Sequence, residues 1–230
     1  MSSIVESGTV GMCPDTGRPV YRGLPVPWAA RWTGEVDLTP LHGRVAAGRY
    51  WVSLGNADAH PEGVAAGLMA GRDEHGVLWH ADRDAPGSGE PQFRQLHARR
   101  QRACMAERRC QVCGRHFGAL PTTFLEAAAK LPADPAAPFV TDTAPTCLTC
   151  EPVALRRCPA QRRTPRVLVT ATTFEPYAVY GDLLGPALDG GIRYQVLGRI
   201  FPLGDRRLTR VVAKQLLVRI TDYTAQPVRT

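Results

Sequence analysis

Cys110-Gln111-Val112-Cys113-Gly114 and Cys147-Leu148-Thr149-Cys150 are the two stretches on which the reading of this 230-residue chain turns. Together they spell C-x2-C-x33-C-x2-C. A C-x-x-C turn places two thiolates on one side of a tight loop, and two such turns complete a tetrahedral set for Zn2+. Gly114 directly after the first pair lets the chain leave that turn with few steric limits. The reading is a structural zinc site on Cys110, Cys113, Cys147 and Cys150. An iron–sulfur cluster uses the same four thiolates, and a redox dithiol uses one pair. Three further cysteines remain. Cys104 and Cys158 read as small buried residues, and Cys13, before Pro14 in a loop, has no assigned role.

Working outward, Gln92 to Arg109 contain neither Gly nor Pro and are mostly good helix formers, so a basic amphipathic helix is expected to run into the first pair. Thr122 to Leu131 read as a short helix and Pro138-Phe139-Val140-Thr141 as a strand. The second pair sits at a helix start, with Pro152 in the first turn and Pro159 limiting its length. Knuckle, then helix start, resembles a treble-clef finger or a zinc ribbon in order of parts. Further out, Arg49 to Leu54 and Gly76 to His80 are strand-like, as are Val167 to Phe174 and Ile192 to Leu203. Leu208, Val212, Leu216 and Ile220 recur every four residues and predict a C-terminal helix. The expected class is therefore α+β. A loop-rich, short-strand region covers 1–91, with the run Ala85 to Pro91 as linker. The basic four-cysteine module covers 92–165, and a β-plus-helix region covers 166–230.

Charge points the same way. The formal net charge is +7, and only Lys130 and Lys214 among the 28 basic residues are lysine. Residues 1–93 carry a net −4, whereas 94–115, 152–166 and 199–219 carry +6, +5 and +5. Two of the three basic blocks flank the cysteine pairs. Zinc would draw Arg99, Arg100, Arg102, Arg108 and Arg109 towards Arg156, Arg157, Arg162 and Arg163. Guanidinium groups bind phosphate in bidentate fashion, so a nucleic acid, DNA first, is the expected partner. A solvated arginine face produced by GC-rich codon usage is the plain alternative. A protein-interaction adaptor is the rival class. Trp28, Trp32, Trp51 and Trp79 all lie in the acidic front, and Trp28 and Trp32, in a Pro-rich stretch, are candidate exposed anchors. That front can cover the basic blocks within one chain or between two copies, so a homo-oligomer is admitted.

Catalysis finds little footing. An HNH-like nuclease needs a general-base His between the cysteine pairs, and that interval holds only His116, beside the knuckle. A zinc nucleobase deaminase shows H-x-E and then P-C-x-x-C. His60-Pro61-Glu62 matches the first element, but Thr146 interrupts the second and 84 residues separate Glu62 from Cys147. Neither G-x-S-x-G nor G-x-x-x-x-G-K-[ST] occurs. No run approaches the roughly 18 apolar residues of a membrane span. The first residues lack a basic n-region and an apolar h-region, so a cytoplasmic, reducing setting is expected.

Gly76-Val77-Leu78-Trp79, Arg99-Arg100-Gln101-Arg102, the two cysteine pairs and Arg157-Cys158-Pro159 together resemble a group of uncharacterised actinobacterial proteins of the Streptomyces kind. The resemblance spans about residues 76–165. It implies a shared four-cysteine zinc module in a cytoplasmic bacterial protein, and it implies no activity.

Overall fold

A computed structural model describes residues 10–13, 18–36, 40–46, 48–55, 71–158 and 164–228. Of these, 49% are in strands and 13% are helical. That corrects the α+β expectation: the chain is mostly β, built on one large sheet rather than on a treble-clef or zinc-ribbon module. Two long strands form its spine, β11 (Arg166–Pro186) and β13 (Val211–Pro227). They pair antiparallel from Val167↔Pro227 to Leu183↔Val211. β12 (Ile192–Pro202) continues the sheet beyond the second half of β11, and β9 (Thr122–Ala127) pairs with its first half. On the far edge of β13, β7 (Leu78–Trp79) pairs in parallel and β10 (Phe139–Thr141) antiparallel. The core packs Phe124, Val169, Ala171, Val179, Val218 and Ile220 together, with Phe174 edge-on to Phe124 at 5.5 Å.

Two expected helices are strands, for identifiable reasons. A spacing of four fits a helical face, but it is also an even number. Leu208, Val212, Leu216 and Ile220 therefore share a face of a strand equally well. The intervening Val211, Ala213, Leu217 and Val218 are buried too, so this segment is covered on both faces, as β13 requires and an amphipathic helix does not. A 3-10 turn, Arg206–Arg210, leads into it. Thr122 to Leu131 likewise becomes β9, whose Thr122 to Glu126 are all buried, and only Ala128–Lys130 keep a helical turn. β-branched and aromatic residues at a sheet edge outweigh the helix propensity of the Ala-rich end.

The expected basic helix is shorter than its composition allows. Pro91–Leu96 form strand β8, paired with β4 (Ala30–Trp32). Helix α1 covers Ala98–Ala106 and is capped by the His97 ring, which accepts from Arg100 N–H. Arg49–Leu54 form β6 beside β5 (Leu41–Ala46), and β1 (Val10–Cys13), β2 (Arg18–Tyr21) and β3 (Leu24–Pro25) make a small separate sheet. Helix α2 is Glu151–Arg157, with Pro152 in its first turn as expected. Among the described residues no helix is long and apolar enough to cross a membrane.

α1 is locked to the sheet by one side chain. β7 ends its pairing at Ala213 and β10 starts at Val218, which leaves a gap on the edge of β13. Gln101 fills that gap: its amide donates to Leu216 C=O at 2.9 Å and accepts from Leu216 N–H at 2.8 Å. All four groups are buried. Gln101→Leu keeps the volume and orphans both backbone groups of Leu216. It is expected to lower unfolding free energy by roughly 2–4 kcal/mol. Urea unfolding checks this, and a loss below about 0.5 kcal/mol would show that the amide contributes no more than an ordinary surface contact.

Candidate metal centre and adjoining cleft

The four cysteines of the two C-x-x-C pairs meet. One ligand atom from each of Cys110, Cys113, Cys147 and Cys150 lies within 4.8 Å of the others. Sγ of Cys113 and Sγ of Cys147 are 3.7 Å apart. Sulfurs at the corners of a tetrahedron with Zn–S of about 2.3 Å are separated by roughly 3.8 Å. The spacing fits a metal ion and is too long for disulfide bonds.

Local backbone geometry explains how the thiols converge. Cys110 N–H donates to Arg115 C=O and Gly114 N–H to Cys110 C=O, closing the first knuckle. Gly114 adopts φ +67°, and a Cβ there would lie 2.9 Å from the Trp28 ring. Glycine is required on both counts. The backbone of Trp28 and Ala29 straps the knuckle, donating to Val112 and Gln111 carbonyls at 3.1 and 2.9 Å. From the other side Gln111 bonds to Pro145 and Ala144 carbonyls and to Thr146 Oγ1. These contacts carry the second pair to the first. Cys150 then caps α2, and Cys150 and Glu151 both donate their N–H to Cys147 C=O.

The sulfurs differ in surroundings. Cys110 is fully buried, with the Cys150 thiol as its strongest partner, and backbone N–H groups of Cys147 and Cys113 point at it from 3.3 and 3.4 Å. These hold its pKa down at about 5. Burial pushes Cys113 up to about 11. N–H groups aimed at sulfur suit a ligated thiolate, whose remaining lone pairs need donors. Cys104 lies near the set but outside it, fully buried, with its thiol pushed well up by desolvation. Cys158 is half-buried at the end of α2. His116 is exposed and is not one of the four.

The cluster opens onto a cleft of about 740 Å³. Cys113, Cys147 and Cys150 form part of its wall. Val20, Pro25, Val112, Phe117, Leu120 and Val153 supply apolar surface, and Arg18, Arg115, Arg156 and Arg157 supply charge. Arg18 also donates to Val112 and Cys113 carbonyls, which ties β2 to the knuckle.

The arginines singled out in the sequence have separate fates. Arg156 and Arg157 line the cleft and are exposed. Arg99 is exposed on α1, 3.9 Å from Asp84. Arg102 lies over the Trp79 ring at 5.1 Å. Arg108 donates to Thr122 Oγ1 and Leu120 C=O, and Arg109 to Glu107 and Gly114. Arg162 and Arg163 lie outside the described residues, as do His60 and Glu62. Arg100 is not at the surface. It is buried, forks onto both oxygens of buried Glu35 at 2.7 Å, and reaches Asp84 at 2.6 Å. Trp32 is buried and Trp28 packs on the knuckle, which corrects their reading as exposed anchors. Arg18 and Arg115 were missed. Arg115 adjoins the knuckle in sequence, whereas nothing local marks Arg18.

A second group, Glu35, Asp84 and His97, is also close enough to hold a cation. The Arg100 guanidinium already occupies that role through its contacts with both carboxylates. His97 beside it is buried, and desolvation first, then Arg100, lower its pKa. Its Nδ1 accepts from Arg100 N–H and its Nε2 lies 3.3 Å from Arg83 C=O, an arrangement that fits the neutral ring protonated on Nε2.

No protein-family model matches the chain, and neither a curated protein nor a solved structure matches it significantly.

A buried neutral His97 makes the fold acid-sensitive. Its folded pKa lies below its unfolded value, so the unfolded chain binds the proton first. The contribution is intact above the unfolded pKa of about 6.5 and is lost progressively as pH falls from there to the lower folded pKa. Urea unfolding at pH 7.5 and 5.5 should show a smaller acid loss in His97→Asn, which keeps a capping acceptor, than in the unaltered protein. Equal losses would remove His97 from the account.

Proposed function

We propose that this protein holds structural Zn2+ on Cys110, Cys113, Cys147 and Cys150 and binds nucleic acid in the adjoining cleft. The observation that carries the reading is the coincidence of the two features: three of the four cysteines line a concave surface that also bears Arg18, Arg115, Arg156 and Arg157. No carboxylate is among the residues lining it. Four thiolates satisfy zinc and leave no open coordination position, which suits a structural ion. Zinc there would clamp the start of α2 to the knuckle. That would fix Arg156 and Arg157, at the end of α2, relative to Arg115 beside the knuckle and to Arg18, which bonds to it.

The mode of binding follows from which elements are free. α1 is pinned to β13, buries Ala98, Arg100, Gln101, Cys104 and Met105, and does not line the cleft, which is bounded by β2, the knuckle and α2. Contact then runs through guanidinium–phosphate pairs, with bases or sugars against the apolar wall. The guanidinium planes of the cleft offer stacking surfaces of the kind that bind unpaired bases. Such binding is weakly sequence-selective and strongly salt-dependent.

Purified protein should contain close to one zinc per chain by elemental analysis. A DNA oligonucleotide should bind with log K falling linearly against log salt, with a slope of roughly −3 to −4 if about four phosphates are neutralised. Arg156→Gln/Arg157→Gln should flatten that slope by about 2. Absence of zinc, with no iron in its place, overturns the metal reading. Salt-independent retention, or an unchanged slope in the double variant, overturns the nucleic-acid reading.

A further inference from the structure

The third basic block takes no part in the cysteine cleft. Its 3-10 turn, Arg206–Arg210, folds instead against the start of β6, where Thr209 Oγ1 donates to Tyr50 C=O at 3.2 Å. Arg206, Arg207 and Arg210 thereby meet Arg49, 157 or more residues earlier in the chain, around a pocket of about 310 Å³. Tyr50 and Thr209 complete its lining.

Four guanidinium groups around so small a space repel one another unless something compensates them. Asp205 compensates one: its carboxylate takes Arg207 Nε at 3.0 and 3.1 Å and a second guanidinium nitrogen at 2.6 Å. Arg210 reaches, among the described residues, only the neutral amide of Gln195, at 3.5 Å. Among the described residues no carboxylate forms an ion pair with Arg49, Arg206 or Arg210, and none lines the pocket. Counted among the described residues, four arginines against Asp205 leave the site at +3. Arg72 lies behind it, with Asp73 beside it, and donates to Thr209 C=O at 3.0 Å and Leu208 C=O at 3.2 Å.

We infer that this pocket binds a small anion carrying a diphosphate group. Guanidinium forks match phosphate oxygens in geometry as well as charge. One phosphomonoester, at about −1.5 to −2, leaves part of the charge unmet, and a second phosphoryl group meets it. The volume lies at the lower end of the range for small-molecule sites, roughly 300–1,000 Å³. The site shares no residue with the cysteine cleft, so it stands apart from the nucleic-acid reading.

Isothermal titration of the full-length, metal-loaded protein tests this, with sodium pyrophosphate, ADP, orthophosphate and sulfate at matched ionic strength. Pyrophosphate is expected to bind saturably at one per chain, at least tenfold more tightly than orthophosphate or sulfate. Arg206→Gln/Arg210→Gln should weaken it by on the order of tenfold or more, whereas Arg156→Gln/Arg157→Gln in the cleft should leave it unchanged. ADP binding as tightly as pyrophosphate identifies a nucleotide as the source of the diphosphate, and weaker ADP binding identifies a free diphosphate. Absence of saturable binding by either overturns the proposal. So does equal affinity for orthophosphate, or loss of binding in the cleft variant with retention in the pocket variant.

Discussion

Helix α1 carries Arg100 and Gln101 into the interior, with His97 buried at its cap, and among the described residues every side-chain polar atom of the three except Arg100 Nε finds a partner. Arg100 reaches back to Glu35 and to Ala30 C=O, which fastens the N-terminal strands. Gln101 reaches forward to Leu216 on β13, which fastens the main sheet. One turn of helix therefore joins two parts of the chain more than a hundred residues apart. An unpaired charge in that position would cost several kcal/mol, so the two sides are held together by the penalty for separating them as much as by attraction.

The cysteine centre inherits its position from that helix. The chain leaves α1 at Ala106 and reaches Cys110 four residues later. The same N-terminal segment that supplies Glu35 and Ala30 to Arg100 also supplies Trp28 and Ala29 to the knuckle. Clamp and strap belong to one continuous piece of backbone. The knuckle is thus oriented before any ion is considered, and an ion would reinforce the link to Cys147, Cys150 and α2 that the Gln111 hydrogen bonds already make.

Arginine, the dominant cation of this chain, serves three physical ends. Arg100 is a buried cross-link, and Arg72 is a smaller one, spanning β6 and the 3-10 turn through carbonyls. Arg18, Arg115, Arg156 and Arg157 surround the cleft beside the thiols. Arg49, Arg206, Arg207 and Arg210 surround a second pocket. Net charge does not tell these uses apart, and each draws on more than one block of the sequence. What separates them is which groups stand opposite, buried Glu35 for Arg100 and backbone carbonyls for Arg72, and that depends on contacts between distant segments.

The four-cysteine set was legible in the sequence because ligand chemistry and C-x-x-C spacing are local properties. The strands at 49–54, 139–141, 167–174 and 192–202 were legible too, since β-branched and aromatic runs mark them within a few residues. The mostly-β architecture was not. A period of four at Leu208, Val212, Leu216 and Ile220 satisfies helix and strand alike, and the choice rested on β11, whose pairing partners lie some 30 to 60 residues away. Arg100 looked like its exposed neighbours until Glu35, 65 positions earlier, met it in the interior. Arg18 and Arg49 joined their clusters across longer distances still. Side-chain type and short spacing determined which chemistry this chain can hold. Long-range strand pairing and charge pairing, which no local window contains, decided where that chemistry sits and which cations remain free to meet a ligand.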